Sequence, residues 1–306
     1  MRSASKRVRL SLGPIQYYWP KEKILDFYRS IESVPVDIVY LGETVCSKRR
    51  LLRLNDWIEI AERLQSSGKQ VVLSTLALLE ANSELGLVRK LCANGNFPIE
   101  ANDMSAVQLL AGKTDFIGGA SLNIYNQRTL RMLVGMGLTR WVMPVELSKN
   151  VLTGFQKEMP GGIETEIFAW GRLPLAYSAR CYTARAHKVS KDDCEFCCID
   201  YPDGLMLTTR DDEDFLVING IQTQSAKVHN LVHEAFEPDT GIDILRISPQ
   251  AEHTGQVISL FDRVRCGALD ANDASDELET LASDGLCNGY WHEEAGMASH
   301  GGVASR

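Results

Sequence analysis

No stretch of the 306-residue chain approaches the ~20 consecutive apolar residues that a membrane-spanning helix requires. The basic opening, MRSASKRVRLSLG, has no apolar run behind it and does not read as a secretory signal, so the expected compartment is cytoplasmic. Disulfides rarely persist there, and a chain of this length does not need them as staples. An excess of positive charge is missing too. Lys and Arg number 32 against 40 Asp and Glu, a net of −8, which argues against broad nucleic-acid or anionic-membrane binding. Proline is scarce at 10 residues, and no biased tract or internal repeat divides the chain. The segment SLGPIQYYW after the first apolar run is not G-x-G-x-x-G, and there is no Walker loop and no H-E-x-x-H, which removes the common nucleotide-loop and metalloprotease readings.

What the chain does contain is a series of short apolar, β-branched runs about 25–35 residues apart, the spacing of strand–helix units. They are RLSLG (9–13), VDIVYLG (36–42), QVVLSTL (70–76), FPIEAND (97–103), DFIGGAS (115–121), RWVMPVEL (140–147), TEIFAWG (165–171), FLVING (215–220) and ILRIS (244–248). Helical periodicity fills the intervals: 21–33 aligns Ile24, Phe27, Tyr28 and Ile31, and 56–68 aligns Ile58, Ile60, Ala61 and Leu64 before Gly68. The pattern predicts an α/β fold with a parallel sheet covered by helices, and the length favours a closed (β/α) barrel of the TIM type over an open sheet. We expect a barrel domain over 1–265 and a C-terminal extension over 266–306. In the extension, DANDASDELETLASDG (270–285) reads as an acidic surface helix and GMASHGGVASR (296–306) as a frayed tail.

Cysteine is unevenly placed. Four of the eight lie in eighteen positions, CYTARAHKVSKDDCEFCC (181–198), in a polar connection after a strand. With disulfides set aside, metal binding or redox chemistry remains. A thioredoxin-type pair would place its C-x-x-C after a first strand, and a radical loop would need C-x-x-x-C-x-x-C; neither fits. A tetrahedral thiolate site for zinc or an iron–sulfur cluster needs four ligands. The loop offers Cys181, Cys194 and one or both of Cys197 and Cys198, so a further ligand must come from elsewhere. Cys46, in LGETVCSKRR directly after the second strand, would project from the same end of a barrel. Cys92 reads as a small buried hydrophobe on a helix, and Cys266 and Cys287 as incidental. Having only one tight cysteine pair favours iron–sulfur over structural zinc. Arg49, Arg50 and Arg180 are candidates for hydrogen bonds to the cluster sulfurs or for gripping an anion, whereas Lys48, Lys188 and Lys191 read as solvated loop surface.

The run from Glu166 through Phe168, Gly171, Arg172, Leu173 and Pro174, followed by Ala179, Arg180 and Cys181, resembles the signature of the collagenase-like peptidase family. That signature is Glu-x-Phe-x-x-Gly-small-Leu-Cys, four residues, then Gly-x-Cys. Arg172, Pro174 and Ala179 depart from it, and Cys46 replaces the thiol lost at Pro174. With LGETVCSKRR, LSTLAL, MPVELS, LPLAYSARCYTAR and CNGYW, the chain resembles, from about residue 8 to 295, the branch of that family that serves oxygen-independent ubiquinone hydroxylation. The resemblance implies a [4Fe-4S] cluster on Cys46, Cys181, Cys194 and Cys198, with Cys197 unused. It also implies a heterodimer with a homologous UbiU-like subunit, cooperation with a UbiT-like lipid-binding protein, and prephenate as oxygen donor to small-molecule ubiquinone precursors. An electron-transfer or scaffold subunit, or a zinc-containing peptidase, are the alternatives; no Ser/His/Asp or Cys/His nucleophile supports the last.

Several other residues invite a role. His229 and His233 in VHNLVHEAF have i, i+4 spacing and read as a polar helix face. Glu43, Glu100, Asp103 and Glu146 follow strands, where carboxylates either cap helices or serve acid–base chemistry. Tyr17, Tyr18 and Trp19 could line a pocket or pack in the core.

Overall fold

The computed structural model describes residues 7–237 and 240–300, so the first six residues and the last six of the expected tail lie outside the described residues. Seven strands alternate with helices: β1 (Arg9–Leu12), β2 (Ile38–Leu41), β3 (Gln70–Ser74), β4 (Ile99–Ala101), β5 (Phe116–Gly118), β6 (Leu138–Val142) and β7 (Glu164–Tyr177). Between them run α1 (Lys21–Ile31), α2 (Leu54–Ser66), α3 (Asn82–Cys92), α4 (Met104–Leu110), α5 (Gln127–Gly135) and α6 (Lys149–Glu158). After β7 come α7 (Tyr182–Ala186), β8 (Leu205–Thr208), β9 (Asp214–Asn219), β10 (Gln222–Asn230), β11 (Ile244–Ile247), α8 (Thr254–Arg265), α9 (Ala271–Leu281) and β12 (Leu286–Cys287).

β1 to β7 pair in sequence order and in parallel, and β11 pairs in parallel with both β7 and β1. Eight parallel strands therefore close on themselves, which leaves the barrel without an edge and gives the TIM-like α/β fold expected from the apolar runs. Helices cover the outside. On α1 the buried residues are Ile24, Tyr28 and Ile31, one stripe at helical spacing. Asp103, Asn126 and Ser148 cap the amide ends of α4, α5 and α6 with their side chains.

Alternation along the strands divides two interiors. Leu10, Leu12, Val39 and Leu41 pack outward against the helices, while Ile38, Tyr40, Val72 and Ile117 pack together inside the barrel. That inner face is also charged. Glu166 accepts from Ser11 Oγ at 2.7 Å, from Tyr40 and from Arg246 Nε at 2.7 Å. Arg246 Nη1 reaches Glu100 Oε1 at 2.7 Å, and Arg140 Nη1 donates to Tyr40 at 2.8 Å. Burial alone would raise the Glu166 carboxyl, but Arg246 and Arg140 hold it below the ordinary carboxylate range.

Two expectations need correction. FLVING is not a barrel strand: β9 pairs antiparallel with β8 and β10, in a side sheet carried by the far half of β7. His229 and His233 share no helix face. His229 lies in β10 opposite Gly171 and is buried, whereas His233 is exposed beyond the strand. The backbone hydrogen bonds offered by the long β7 override the i, i+4 spacing. Gly171, whose φ is +127°, permits the join between barrel and side sheet, because a Cβ there would stand 2.6 Å from that of Ser248.

Candidate functional site: a thiol corner beside the barrel mouth

The loop after β2 and the connection from β7 to β8 meet at the carboxyl end of the barrel, where βα loops present functional groups in this architecture. Glu43 shapes the first loop by accepting from the amides of Val45 (2.9 Å) and Cys46 (3.0 Å). Cys181 ends the run that follows β7 and caps α7, its Sγ accepting from Ala184 N at 3.4 Å. Farther along, Glu195 and Phe196 both take left-handed backbone (φ 46° and 57°), a sparsely populated conformation for residues with side chains. This bend turns Cys194, Cys197 and Cys198 back toward the barrel.

Three of the five cysteines share one packed cluster, and Cys197 and Cys198 interact electrostatically with its members. Cys46 and Cys194 pack against Val45, Cys181, Ala184 and Ile221. Burial pushes the Cys198 thiol up to about 11 against the pull of Arg49, with Cys46 and Cys181 close enough to add to the rise. Cys197 is raised by burial and then by Cys181 and Cys194. The cysteines are free thiols. Among the described residues no group of three or more Cys, His, Asp or Glu side chains is placed to hold a metal ion.

Arg49 lies at the centre of this corner, with a side chain only 1% exposed. It donates from Nη1 to Gln16 O and from Nη2 to Asn219 Oδ1, each at 2.8 Å. Its nearest carboxylate, Glu43, stands at 3.8 Å, and burial raises that carboxyl toward its neutral form. Among the described residues the Nε group has no hydrogen-bond partner, and the guanidinium interacts with the sulfurs of Cys198 and Cys46. A buried cation with an orphaned N–H beside thiols suits a thiolate-ligated, negatively charged group. Gly220, at φ +63°, turns the β9–β10 hairpin over this spot, and a Cβ there would meet Arg49 Nη2 at 2.9 Å. Tyr18 lies under the guanidinium and beside Phe196, closing the corner from the barrel side.

The other arginines stand apart. Arg50 is exposed and donates to Ser47 O, and Arg180 is exposed on the loop. Two lysines expected on a solvated surface are tethers instead: Lys48 bonds Asp192 and the Lys191 carbonyl, and Lys191 pairs with Glu80. Together they fasten the cysteine loop to the barrel. Cys92 and Cys287 are partly or wholly buried away from this corner, and Cys266 is exposed. Of the strand-end carboxylates, Asp103 is a cap, Glu43 orders the Cys46 turn, Glu100 pairs with Arg246 and Glu146 accepts from Tyr125. Tyr17 and Trp19 are core residues, and Trp19 also donates to Pro202 O, pinning the far end of the loop.

A family model described as peptidase family U32 matches residues 29–301. The chain belongs to the U32 family. Among solved structures, the U32 peptidase Mk0906 is similar over 82% of this chain and 96% of that one, at 9% identity and a TM-score of 0.45. Dihydropteroate synthase from Thermus thermophilus is similar over 84% and 95%, at 13% identity and a TM-score of 0.39. The spore cortex-lytic enzyme SleL of Bacillus megaterium is similar over 85% and 75%, at 11% identity and 0.40. In this U32 chain the motif glutamate, Glu166, holds the barrel interior together, and two departures from the motif have visible uses. Arg172 bonds the carbonyls of Ser225 and Ala226 and pairs with Asp284, joining the side sheet to the segment before β12. Pro174 stands opposite Gln224 between two slips in the register of β7 against β10, an irregular stretch of the kind that tolerates proline.

Proposed function

We propose that this U32 protein is an iron–sulfur subunit of an oxygen-independent hydroxylase acting on ubiquinone precursors, similar in role to UbiV. In this reading it pairs with a UbiU-like homologous subunit, works with a UbiT-like lipid-binding protein, and uses prephenate as oxygen donor. The observation that carries the reading is the meeting of Cys46 with Cys181, Cys194 and Cys198 around the buried, incompletely paired Arg49. Those four thiols would hold a [4Fe-4S] cluster, which when bound supplies one-electron chemistry. The chain's own residues prepare the place. Arg49 offsets part of the net charge of about −2 that four thiolates leave on such a core. Glu43 fixes the turn bearing Cys46, and the buried Tyr18 packs beneath Arg49.

An electron-transfer or scaffold subunit with all substrate chemistry on the partner is the second reading, favoured by the capping and structural duties of the strand-end carboxylates. Iron, sulfide and zinc analysis of protein prepared under argon tests the cluster. We expect close to four irons and four sulfides per chain, as the cluster's composition requires, and a broad visible absorption that bleaches in air. Zinc alone would replace this reading with a zinc-containing one. Binding of prephenate to the isolated chain separates a substrate-holding subunit from a scaffold.

A further inference from the structure

Behind the thiol corner the barrel opens into a cavity of about 310 Å³ that no part of the cluster reading uses. Leu78 and Tyr177 are its shared wall, lining the cavity and packing against the cysteines. Inside, buried polar atoms stand without hydrogen-bond partners among the described residues, donors for the most part. Arg246, 7% exposed, donates from Nε to Glu166 and forms an ion pair through Nη1 with Glu100, and among the described residues neither its Nη2 nor Glu100 Oε1 has a hydrogen-bond partner. The hydroxyl of Thr44, 4% exposed, likewise has no hydrogen-bond partner among the described residues. Tyr177 accepts from Gln222 at 2.8 Å, so its own proton is left to give, and burial keeps it protonated. Unmet buried donors of this kind are costly until an acceptor arrives. Phe168 and Met143 supply an apolar side.

Charge decides which acceptor. The charged residues of the wall are Arg246, Glu100 and Glu146, and Arg246 is also paired with Glu166 behind it. The one cation thus already faces two carboxylates, and an incoming carboxylate would find no surplus positive charge. We infer that the cavity binds a small neutral ring compound through a carbonyl or amide oxygen, anchored on Arg246 Nη2 and Thr44 Oγ1. A volume of this size is at the lower end for small-molecule sites and suits a single substituted six-membered ring. The inference goes beyond the cluster reading and does not depend on it.

Titration of the full-length chain with benzamide and with benzoate at neutral pH, followed calorimetrically and by ligand-observed NMR, tests this. Benzamide should bind at least ~10-fold more tightly than benzoate, because the unpaired charge of the latter costs more than one hydrogen bond returns. Thr44→Val, which keeps the shape and leaves the ion pairs intact, should weaken benzamide about 5-fold, the equivalent of one neutral hydrogen bond. Arg246→Lys should weaken it by about 10-fold or more, read only on protein whose thermal unfolding remains cooperative. Benzoate binding equal to or tighter than benzamide overturns the inference, as does no binding of benzamide, or binding that neither variant alters. Iron and sulfide are measured on the same sample. Selective binding without iron sinks the cluster reading alone, and iron without binding sinks this one alone.

Discussion

Two arginines are buried at the same end of this barrel, and their surroundings differ. Arg246 is held between Glu100 and Glu166, stacks on the Tyr40 ring at 4.1 Å, and belongs to a network whose charges balance within the protein. Arg49 is buried more completely, yet its nearest carboxylate is 3.8 Å away, its hydrogen-bond acceptors are the neutral Gln16 O and Asn219 Oδ1, and the thiols beside it are neutral until they lose protons. A buried ion pair is tolerable when its partners are permanent. One whose partners become charged only on deprotonation is left waiting for whatever deprotonates them. The first arginine is fixed by the protein's own carboxylates, with Nη2 left over for the cavity, and the second reads as preparation for a thiolate-bound group.

The contrast predicts unequal penalties. Glu166→Gln leaves both Arg246 and Arg140 short of their common counter-charge and should cost about 3–5 kcal/mol in denaturant unfolding, the range for breaking a buried pair. A loss below ~1 kcal/mol would mean that the network is not the frame described. Acid probes the side sheet separately. Burial pushes His229 down to about 4 from 6.5, so between those values the unfolded chain takes up a proton that the folded one refuses. Its contribution is fully present above the unfolded value and is lost as pH falls toward 4, by roughly 3 kcal/mol at most. His229→Gln should flatten that part of the stability–pH curve; an unchanged curve would place the titration elsewhere.

Arg49→Met, close in volume, removes a cation without stranding a carboxylate in contact. It should cost about 1–3 kcal/mol from the freed Gln16 and Asn219 groups, clearly less than Glu166→Gln. A penalty as large as that of Glu166→Gln would make the two arginines equivalent. The smallest effect belongs to Lys191→Ala, which releases a partly exposed pair with Glu80 and should change global stability by less than ~1 kcal/mol. Its consequence should show instead as faster proteolysis within 188–200.

The barrel strands were readable because each buries both faces and so appears as a short continuous apolar run. β10 was not. Its sequence, QTQSAKVHN, buries Gln222, Gln224 and Ser225, which are made tolerable by partners such as Gln16 and Lys227 O that only the fold supplies. Without that strand, FLVING looked like one more barrel unit and the two histidines like a helix. The cysteines stood out by crowding, and Cys46 by its place after a strand. What sequence could not rank was Arg49 against Arg50 and Arg180, since burial beneath the β9–β10 hairpin is a long-range outcome. Nor could it show that lysines in a polar loop would become tethers.

The account rests on sulfurs from two distant loops serving one cofactor, and Cys46 is the sulfur that joins them. Iron and sulfide per chain, measured under argon on Cys46→Ala and Cys197→Ala beside the parent protein, test it most directly. The Cys46 variant should lose the cluster, retaining under about a tenth of the parent's iron, as expected for a core that needs four ligands, while the Cys197 variant keeps most of it. Parent-like iron in the Cys46 variant would contradict the account.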